Sequence, residues 1–289
     1  MTAALHEVSS PRAGIHWMLV TTFLFACQDS TSAILLATYP AMEVTWARYF
    51  VHLVVMTALI SWRNPDLLRT RRPALQIFRS SLALGSTLFG MLGLQVMPLV
   101  DVSAVVWVTP VLVTALSVFL LGEKVSLGGW LSVLAGLTGV WVIINPTGIE
   151  FSPAMLFPFL SAWSGATYQI ATRMLRLSDP PLTTLFYTAI VGVAVCSTSL
   201  PFTAVIPNAR DAALMLFLGS LGVVSHFCMI RAFNAAPANV VAPFGYTALL
   251  WASLFSVIIF SAIPSTRTWT GEAMIVGAGL FIFWRERRK

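Results

Sequence analysis

A run of polar residues interrupts the first long apolar stretch of the chain. The stretch extends from Ile15 to Leu36, and its second half contains the sequence FACQDSTS, residues 25–32. If the stretch crosses a bilayer, Gln28 and Asp29 lie a few residues past its midpoint. A carboxylate at that depth costs roughly 2.5–3.5 kcal/mol on insertion scales. Asp29 could therefore hold an ammonium group or carry a proton inside a hydrated cavity. Alternatively, its carboxylate reaches interfacial water at the helix end.

Aromatic residues and a histidine within apolar segments are further candidates. Trp163 lies near the middle of its segment, whereas the interfacial belt accounts for tryptophans at segment ends. Trp107 and Tyr246 occupy equivalent positions in the repeat described below. Indoles and phenols offer a ring face to apolar or cationic groups and a hydrogen-bond donor to carboxylates. Ordinary helix packing is the alternative, and Tyr168, some 140° round the helix from Trp163, is not expected to share its cavity.

His226 lies two to four residues past the centre of another apolar segment. A histidine side chain titrates near neutral pH, so His226 is a candidate for carrying a coupling proton. It could also line a cavity as a neutral group bonded to a neighbouring hydroxyl or carbonyl. Arg48 lies within a span as well and needs a partner, for which Glu43, Asp29 and Asp101 are available. A structural ion pair is the role that we expect for Arg48.

The composition indicates that these residues are positioned by membrane-spanning helices. Hydrophobic residues make up 57% of the 289 residues, charged residues 10%, and the mean hydropathy is +0.84. Soluble domains have about 25% charged residues. We therefore predict an all-α integral membrane protein with ten transmembrane helices. The predicted spans are about 15–36, 42–62, 75–96, 100–121, 127–144, 154–174, 182–200, 212–233, 240–260 and 269–284.

The distribution of basic residues predicts the orientation. With ten spans both termini lie on one side, and the segments on that side carry 14 Lys and Arg residues against 2 on the other. That count includes Arg79. The positive-inside rule then predicts cytoplasmic termini in a plasma membrane, most simply a bacterial inner membrane. The basic excess (net charge +6) faces anionic lipid, so nucleic acid is not an expected partner.

The chain contains an internal repeat. A shift of 139 residues superposes MPLVDVSAVVWVTPVLVTALSVFLL on APANVVAPFGYTALLWASLFSVIIF, which matches Trp107 with Tyr246. Nearer the start the shift is 141, and Gln28 matches Gln169. We predict two five-helix repeats, 1–148 and 149–289. Because five is odd, the second repeat is inverted, and such repeats surround a central substrate cavity in secondary transporters.

Two stretches resemble the EamA repeat of the drug/metabolite transporter superfamily. One is TPVLVTALSVFLLGEKVSLGGWLSVLAGLTGVWVI, residues 109–143, with Pro110, a Leu-Gly-Glu ending at Glu123 and a glycine-punctuated next helix. The other, APFGYTALLWASLFSVIIFSAIPSTRTWTGEAMIVGAGLFIFWRE, is similar. EVTWARYFVHLVV and LSAWSGATYQIATRML resemble the second and sixth helices of the family. The chain departs from the family at Ser261 and Ala262, where Gly-Glu is frequent, and at ACQD in the first helix.

The resemblance implies a secondary transporter that moves small molecules by alternating access. It also implies that the first helix of each repeat borders the central cavity, so Gln28 and Gln169 are expected to face one shared site. Export of amino acids, including aromatic ones, is the expected function, by similarity to exporters of the YddG type. The alternatives are a carrier of nucleoside-like, S-adenosylmethionine-like or cationic drug molecules. A channel is a further alternative, but a less favoured one. The sequence contains no hydrolase or ATPase motif, so an enzyme is not expected, nor is a cofactor. A gradient must drive uphill transport, and protons are a possible coupling ion. The sequence does not decide between monomer and homodimer.

Overall fold

The computed structural model describes residues 10–63, 65–97, 108–144, 153–176 and 178–261, together with 102, 105–106 and short pieces between 266 and 277. All regular secondary structure in these residues is helical. The helices are α1 (Pro11–Leu36), α2 (Ala41–Arg63), α3 (Pro73–Val96), α4 (Thr109–Leu121), α5 (Leu127–Ile144), α6 (Leu156–Leu175), α7 (Pro181–Cys196), α8 (Ala209–Ala235) and α9 (Thr247–Phe260). A helical turn, Ala238–Val241, and a 3₁₀ turn, Ala242–Tyr246, lead directly into α9.

The predicted all-helical membrane fold is confirmed. Five helical segments within the described residues are long and apolar enough to cross a bilayer, namely Pro11–Leu36, Ala41–Ile60, Pro73–Val96, Ala209–Ala235 and Ala242–Ile259. Two shorter apolar helices, α4 and α7, accompany them. Helix α6 has the length of a span but many polar residues, because it borders the cavity described below. Of the predicted tenth span, the described residues 269–271, 273–274 and 277 are helical.

Helix ends repeat between the two halves. Gly122 ends α4 in the left-handed conformation with φ 65°, and Ser261 ends α9 with φ 53°. The two residues are 139 positions apart, the offset of the sequence repeat. Glycine adopts this conformation without steric penalty, whereas a serine does so rarely. The second half therefore keeps the helix end of the first half even though its glycine is absent.

Helix packing also repeats. Helix α1 packs on α8 as α6 packs on α3, α2 packs on α8 as α7 packs on α3, and α1 packs on α9 as α6 packs on α4. Exchanging α1 with α6, α2 with α7, α3 with α8 and α4 with α9 therefore converts each of these contacts into another. The contact between α2 and α7 converts into itself. This pairing is that of two repeats related by a pseudo-two-fold axis. The boundary between 148 and 149 stays a prediction.

Glycines allow helix α2 to approach its neighbours closely. A Cβ on Gly192 of α7 would lie 2.3 Å from the ring of Tyr49, and one on Gly219 of α8 would lie 2.4 Å from Val51. Both distances are far below van der Waals contact. Small residues of this kind let membrane helices pack backbone against side chain.

The two ends of the bundle are held by different contacts. We call the end where α1 and α3 begin the amino-terminal face, and the other end the opposite face. On the amino-terminal face the backbone N–H of Ser10 donates to the carbonyl of Ala235 (3.0 Å). On the opposite face the phenol of Tyr39 donates to Asp211 (2.9 Å). Burial of this phenol and its bond to Asp211 raise the pKa of Tyr39 above that of an ordinary tyrosine.

Candidate functional site

A cavity of about 220 Å³, lined by both apolar and polar side chains, lies between α1, α2, α3, the start of α4, α6 and α8. Its wall on α3 extends from Ala83 to Leu94, and its wall on α6 from Ser161 to Gln169. The α3 portion lies nearer to the opposite face and the α6 portion is centred on the middle of its helix, so the cavity extends from the middle of the bundle towards the opposite face. The other lining residues are Phe25, Asp29, Ser32, Arg48, Val102, Val106, Thr109, His226 and Met229.

Among the described residues, the cavity is lined by one carboxylate and one guanidinium. The carboxylate-bearing residue, Asp29, is exposed to the cavity. Arg48 is buried, and its Nη2 contacts Nε2 of His226 at 3.1 Å, while its Nε has no hydrogen-bond partner within the described residues. The two groups are not an ion pair, since no Asp or Glu oxygen described in the structure lies within 4.0 Å of Arg48.

The expected structural ion pair of Arg48 is therefore not found among the described residues. Glu43 instead accepts a hydrogen bond from the backbone N–H of Val205 (2.9 Å) at the opposite face. Asp101, another proposed partner, lies outside the described residues. Arg48 and Asp29 consequently present opposite charges to the same cavity without neutralising each other by direct contact.

A chain of hydrogen bonds leads from the cavity into the amino-terminal half. Nδ1 of His226 lies 2.8 Å from the phenol oxygen of Tyr168, and Nη2 of Arg79 donates to the same oxygen (2.9 Å). A guanidinium can only donate, so Nε2 of His226 accepts from Arg48. This pattern assigns to His226 the neutral tautomer with its proton on Nδ1, donating to Tyr168. Tyr168 and His226 line the cavity, whereas Arg79 lies beyond it.

The placement of Arg79 corrects the basic-residue count. The count assigned this residue to a segment at the membrane surface, but the structure places it in the second turn of α3 with its side chain 0% exposed. Removing one residue leaves the strong asymmetry of the count intact. The assignment was wrong because serine and glutamine residues surround Arg79. This first part of α3 therefore resembles a polar segment at the membrane surface.

A second group of buried polar atoms lies beside the cavity. Nε2 of Gln28 donates to Oγ of Ser225 (2.7 Å), while Oε1 of Gln28 has no partner among the described residues. Neither ring nitrogen of His52 has one, and this ring lies 6.2 Å from that of His226. Together with Nε of Arg48, these atoms form a site with several unused donors and acceptors. Such sites in proteins hold water.

The structure brings together part of the predicted site. Asp29, Gln169 and His226 line the cavity. Gln28 is buried, does not line the cavity and bonds to Ser225. Tyr246 is 1% exposed and does not line the cavity, and its hydroxyl has no partner among the described residues. Trp107 lies outside the described residues.

Trp163 lies on the outside of the bundle. Its side chain is 46% exposed, and it is not among the cavity-lining residues. At 100° per residue it projects roughly 140–160° away from Tyr168 and Gly165, which line the cavity. The expectation that Trp163 and Tyr168 do not share a cavity agrees with this arrangement, but it is Tyr168 that faces inward.

Four residues in or beside the cavity were not predicted as site residues, namely Arg48, for which only a structural ion pair was expected, Tyr168, Arg79 and His52. For Tyr168 the signal was its neighbour Gln169, which was predicted to face the cavity. Adjacent residues of a helix lie about 100° apart, so Tyr168 could face the same cavity. For Arg79 the signal was its position within a segment predicted to span. No feature of the sequence distinguishes His52 from a packed histidine.

The amino-terminal face is closed. Arg173 at the end of α6 lies 3.5 Å from Glu123, which also accepts a hydrogen bond from the backbone N–H of Ala238 (3.2 Å). Nη1 of Arg173 donates to the carbonyl of Phe233 (2.6 Å). The contacts join the ends of α4, α6 and α8 to the turn before α9. An apolar cluster lies between these contacts of Arg173 and the cavity. It includes Ile15, Met18, Val113, Ile170 and Phe233.

Repeated helices around a cavity that contains charged side chains and is closed on one face form the architecture of a membrane transporter. The comparison with known families agrees, because residues 12–145 and 152–284 each match the pattern of the EamA-like transporter family. The chain belongs to the EamA-like transporter family, and it is a transporter, not an enzyme.

Curated relatives cover nearly the whole chain. An S-adenosylmethionine uptake transporter of Rickettsia bellii is 28% identical over 95% of this chain and 94% of its own. A riboflavin transporter of Vibrio cholerae is 26% identical (96% and 95%), and a pseudopaline exporter of Pseudomonas aeruginosa is 23% identical (92% and 94%). A solved crystal structure superposes with a TM-score of 0.77 at 20% identity, covering 94% of this chain and 98% of that one, which shows the shared fold.

Proposed function

We propose that this chain is a secondary carrier for small metabolites that contain an α-amino-acid group. The observation that carries the proposal is the pair of opposite charges, Asp29 and Arg48, that line one cavity without forming an ion pair. An α-amino-acid group has one ammonium and one carboxylate, so each group of the ligand meets a complementary charge. Neither Asp29 nor Arg48 would then remain uncompensated inside the membrane.

The remaining wall fits the rest of such a ligand. Arg48 can bind a carboxylate through two parallel hydrogen bonds, because guanidinium and carboxylate geometries match. Phe25, Met91, Leu94 and Met229 provide apolar surface for a side chain. The volume of about 220 Å³ is smaller than the roughly 300–1,000 Å³ of sites for drug-sized ligands, which favours a small metabolite.

The aromatic preference expected from the sequence has less support. It depended on Trp163, Trp107 and Tyr246, of which Trp163 faces outward and Tyr246 does not line the cavity. The proposal therefore extends to amino acids of any side chain that the cavity accepts. S-adenosylmethionine is the second candidate, since it contains the same α-amino-acid group and relatives of this chain are named for its uptake. Riboflavin has no such group.

Counterflow in proteoliposomes tests the proposal. Vesicles loaded with unlabelled L-phenylalanine, L-methionine, S-adenosylmethionine or riboflavin are diluted into the labelled form of the same compound. We expect transient accumulation, with saturation, for at least one compound that has the α-amino-acid group. Exchange of riboflavin alone, or linear uptake without saturation for every compound, would contradict the proposal, and the second result would indicate a channel.

Alternating access is the mechanism that we propose, with protons as the coupling ion. Asp29 is the better candidate to carry the proton, because Nε2 of His226 already accepts from Arg48 and a positive imidazolium would face the guanidinium of Arg48 at 3.1 Å. An imposed pH gradient should then change the rate of uptake in vesicles, and Asp29→Asn should abolish this response. An unchanged response in Asp29→Asn would remove Asp29 from the coupling.

Orientation and direction are separate proposals. We place the amino-terminal face at the cytoplasm of a bacterial inner membrane, as the basic residues predict. A cysteine at Asp66 or Arg69, between α2 and α3, should resist an impermeant maleimide added to intact cells. Export, the direction implied by the resemblance, predicts that cells expressing the carrier resist toxic amino-acid analogues. Increased sensitivity would indicate uptake instead.

A further inference from the structure

A second buried arginine lies between α3, α6 and α7, outside the cavity. Nε of Arg79 donates to Oγ1 of Thr172 (2.8 Å), and Nη1 donates to Oγ1 of Thr188 (2.6 Å) and to the carbonyl of Thr184 (3.3 Å). Nη2 donates to Tyr168, whose ring lies 4.5 Å from the guanidinium carbon. The side chain is 0% exposed.

All of these partners are neutral. Within the described residues no Asp or Glu oxygen lies within 4.0 Å of Arg79. The nearest carboxylate along the hydrogen bonds is that of Asp179, which is linked to Thr184 through Gln76. A buried charge without a counter-charge is costly in a membrane protein, and such residues mark substrate or ion pathways. The position of Arg79 therefore requires a function beyond packing.

The pseudo-two-fold axis relates this site to the cavity. Arg48 lies in a group formed by α1, α2 and α8, and the exchange of the repeats converts this group into α6, α7 and α3, which surround Arg79. In carriers with inverted repeats, the two conformations exchange the roles of the two halves. The group around Arg48 is open to a cavity in this structure, whereas the group around Arg79 is closed.

Buried polar residues continue from Arg79 to the amino-terminal face. Thr184 accepts from Nε2 of Gln76 (3.1 Å), which also donates to Asp179 (2.8 Å), and Oε1 of Gln76 has no partner among the described residues. Asp179 in turn accepts from the hydroxyl of Thr70 and the backbone N–H of Arg71 in the connection before α3. We call this row, Thr172, Thr184, Thr188, Gln76 and Asp179, the polar seam.

We propose that the polar seam is the closed half of the translocation pathway and that Arg79 is a second carboxylate-binding residue. When the seam opens to the amino-terminal face, the guanidinium exchanges neutral hydroxyls for the carboxylate of the ligand, and such charge-assisted hydrogen bonds are roughly twice as strong as neutral ones. The identity of the ligand group rests on the proposed function, whereas the opening of the seam does not. Tyr168 and His226 separate the two arginines and must move apart as the ligand passes.

Cysteine labelling tests the opening of the seam independently of any substrate. In a background without Cys27, Cys196 and Cys228, Thr188→Cys is compared with Ala189→Cys, the equally buried neighbour on α7. The carrier is held in lipid nanodiscs, where an impermeant maleimide reaches both faces. We expect Thr188→Cys to react at least fivefold faster than Ala189→Cys. Equal, slow labelling of both variants would overturn the proposed seam.

Exchange measurements test the carboxylate. Wild type should exchange L-phenylalanine in preference to L-phenylalaninamide, which lacks the carboxylate. Arg79→Gln should lower counterflow of L-phenylalanine at least tenfold. Equilibrium binding of L-phenylalanine should stay within threefold of wild type, because Arg48 is still present. The ratio of acid exchange to amide exchange should fall towards one. Arg79→Lys, which keeps the charge, should retain an intermediate rate and preference.

The outcomes separate this inference from the proposed function. If Arg79 only holds helices together, Arg79→Gln lowers exchange of acid and amide equally along with the melting temperature, and the carboxylate role is overturned. Equal exchange of both probes by wild type overturns it as well. If wild type exchanges no compound with an α-amino-acid group, the proposed function and the carboxylate role fail together, while the labelling result still decides whether the seam opens.

Discussion

Arg48 and Arg79 are both buried in the membrane region, but their surroundings differ. Arg48 borders a cavity, and its guanidinium makes a single hydrogen bond, to His226, with Nε left unpartnered in the described residues. Arg79 makes four hydrogen bonds to threonines and Tyr168 and does not line this cavity. The open half of the protein thus leaves its cation available to a ligand, whereas the closed half satisfies its cation with its own hydroxyls.

The difference explains how the closed half tolerates a charge. Moving an unpaired arginine into hydrocarbon is costly, but hydrogen bonds to oxygen and the face of an aromatic ring recover part of the lost hydration. The threonines around Arg79 also donate to backbone carbonyls of their own helices, so their lone pairs are oriented towards the guanidinium. Because each of these contacts is neutral, a carboxylate can replace them with a gain in free energy.

The largest effect is expected for Arg48→Gln. A hydrogen bond to a charged group contributes roughly 1.5–3 kcal/mol, so equilibrium binding of L-phenylalanine or S-adenosylmethionine should weaken about 10- to 100-fold. Folding should persist, because no described carboxylate depends on Arg48. Scintillation proximity binding on purified protein measures the change, and Arg48→Lys, which keeps the charge without the planar fork, should lose less.

The reverse result would contradict the comparison of the two arginines. If Arg48→Gln binds normally while Arg79→Gln loses binding, then the ligand occupies the seam and not the cavity. The description of Arg48 as the available cation would be wrong.

Asp29→Asn should have the next largest effect. The variant keeps the size and most hydrogen bonding of the side chain but removes the charge that faces the ligand ammonium. Because Asp29 is exposed to the cavity, water screens the interaction, and we expect a loss of about three- to tenfold in exchange. Yield and melting temperature should stay normal, since Arg48 has no ion pair to lose. Normal flux with an intact pH response would indicate that Asp29 only meets water, and a poorly folded variant would indicate an ion pair with Arg48.

Tyr168→Phe tests the contact that joins the two arginine groups. The variant leaves Nη2 of Arg79 and Nδ1 of His226 without their shared partner, which costs about 1–3 kcal/mol for each unsatisfied buried group. We expect a lower melting temperature and a roughly threefold change in exchange. Tyr187→Phe, which removes a hydrogen bond to the carbonyl of Leu68 near the surface, is the matched control and should change little. Equal behaviour of both variants would show that Tyr168 is not the link.

Much of the fold follows from the sequence, because bilayer thickness imposes long apolar segments with breakers between them. The offset of 139 residues also predicts that Gly122 and Ser261 end equivalent helices, as the structure shows. The lining of the cavity was predicted in part. Asp29 and His226 were found because a charge or a titrating group in an apolar segment is conspicuous.

The rest of the site depends on rotation of helices about their axes, which composition does not define. Helix α6 is polar over much of its circumference, so the sequence gives little basis for choosing between the face with Trp163 and the face with Tyr168. The role of Arg79 was missed for a different reason. Near a helix start, an arginine at the surface and an arginine folded inward have the same sequence context, and only the threonines supplied by α6 and α7 distinguish them.

The smallest effect is expected for Trp163→Ala. The indole is 46% exposed on the outer side of α6 and lies away from both arginine groups, so its removal takes away contact with lipid rather than with a ligand. Exchange of L-phenylalanine and S-adenosylmethionine should remain within about twofold of wild type at equal membrane levels, since substitutions away from buried features change stability by about 0.5 kcal/mol or less. Phe25→Ala, which removes an aromatic ring from the cavity wall, is the contrasting variant and should lower the affinity for L-phenylalanine more strongly. A large loss in Trp163→Ala with normal melting temperature would mean that ligands pass along the outer side of α6. In that case neither Arg48 nor Arg79 would lie on their path.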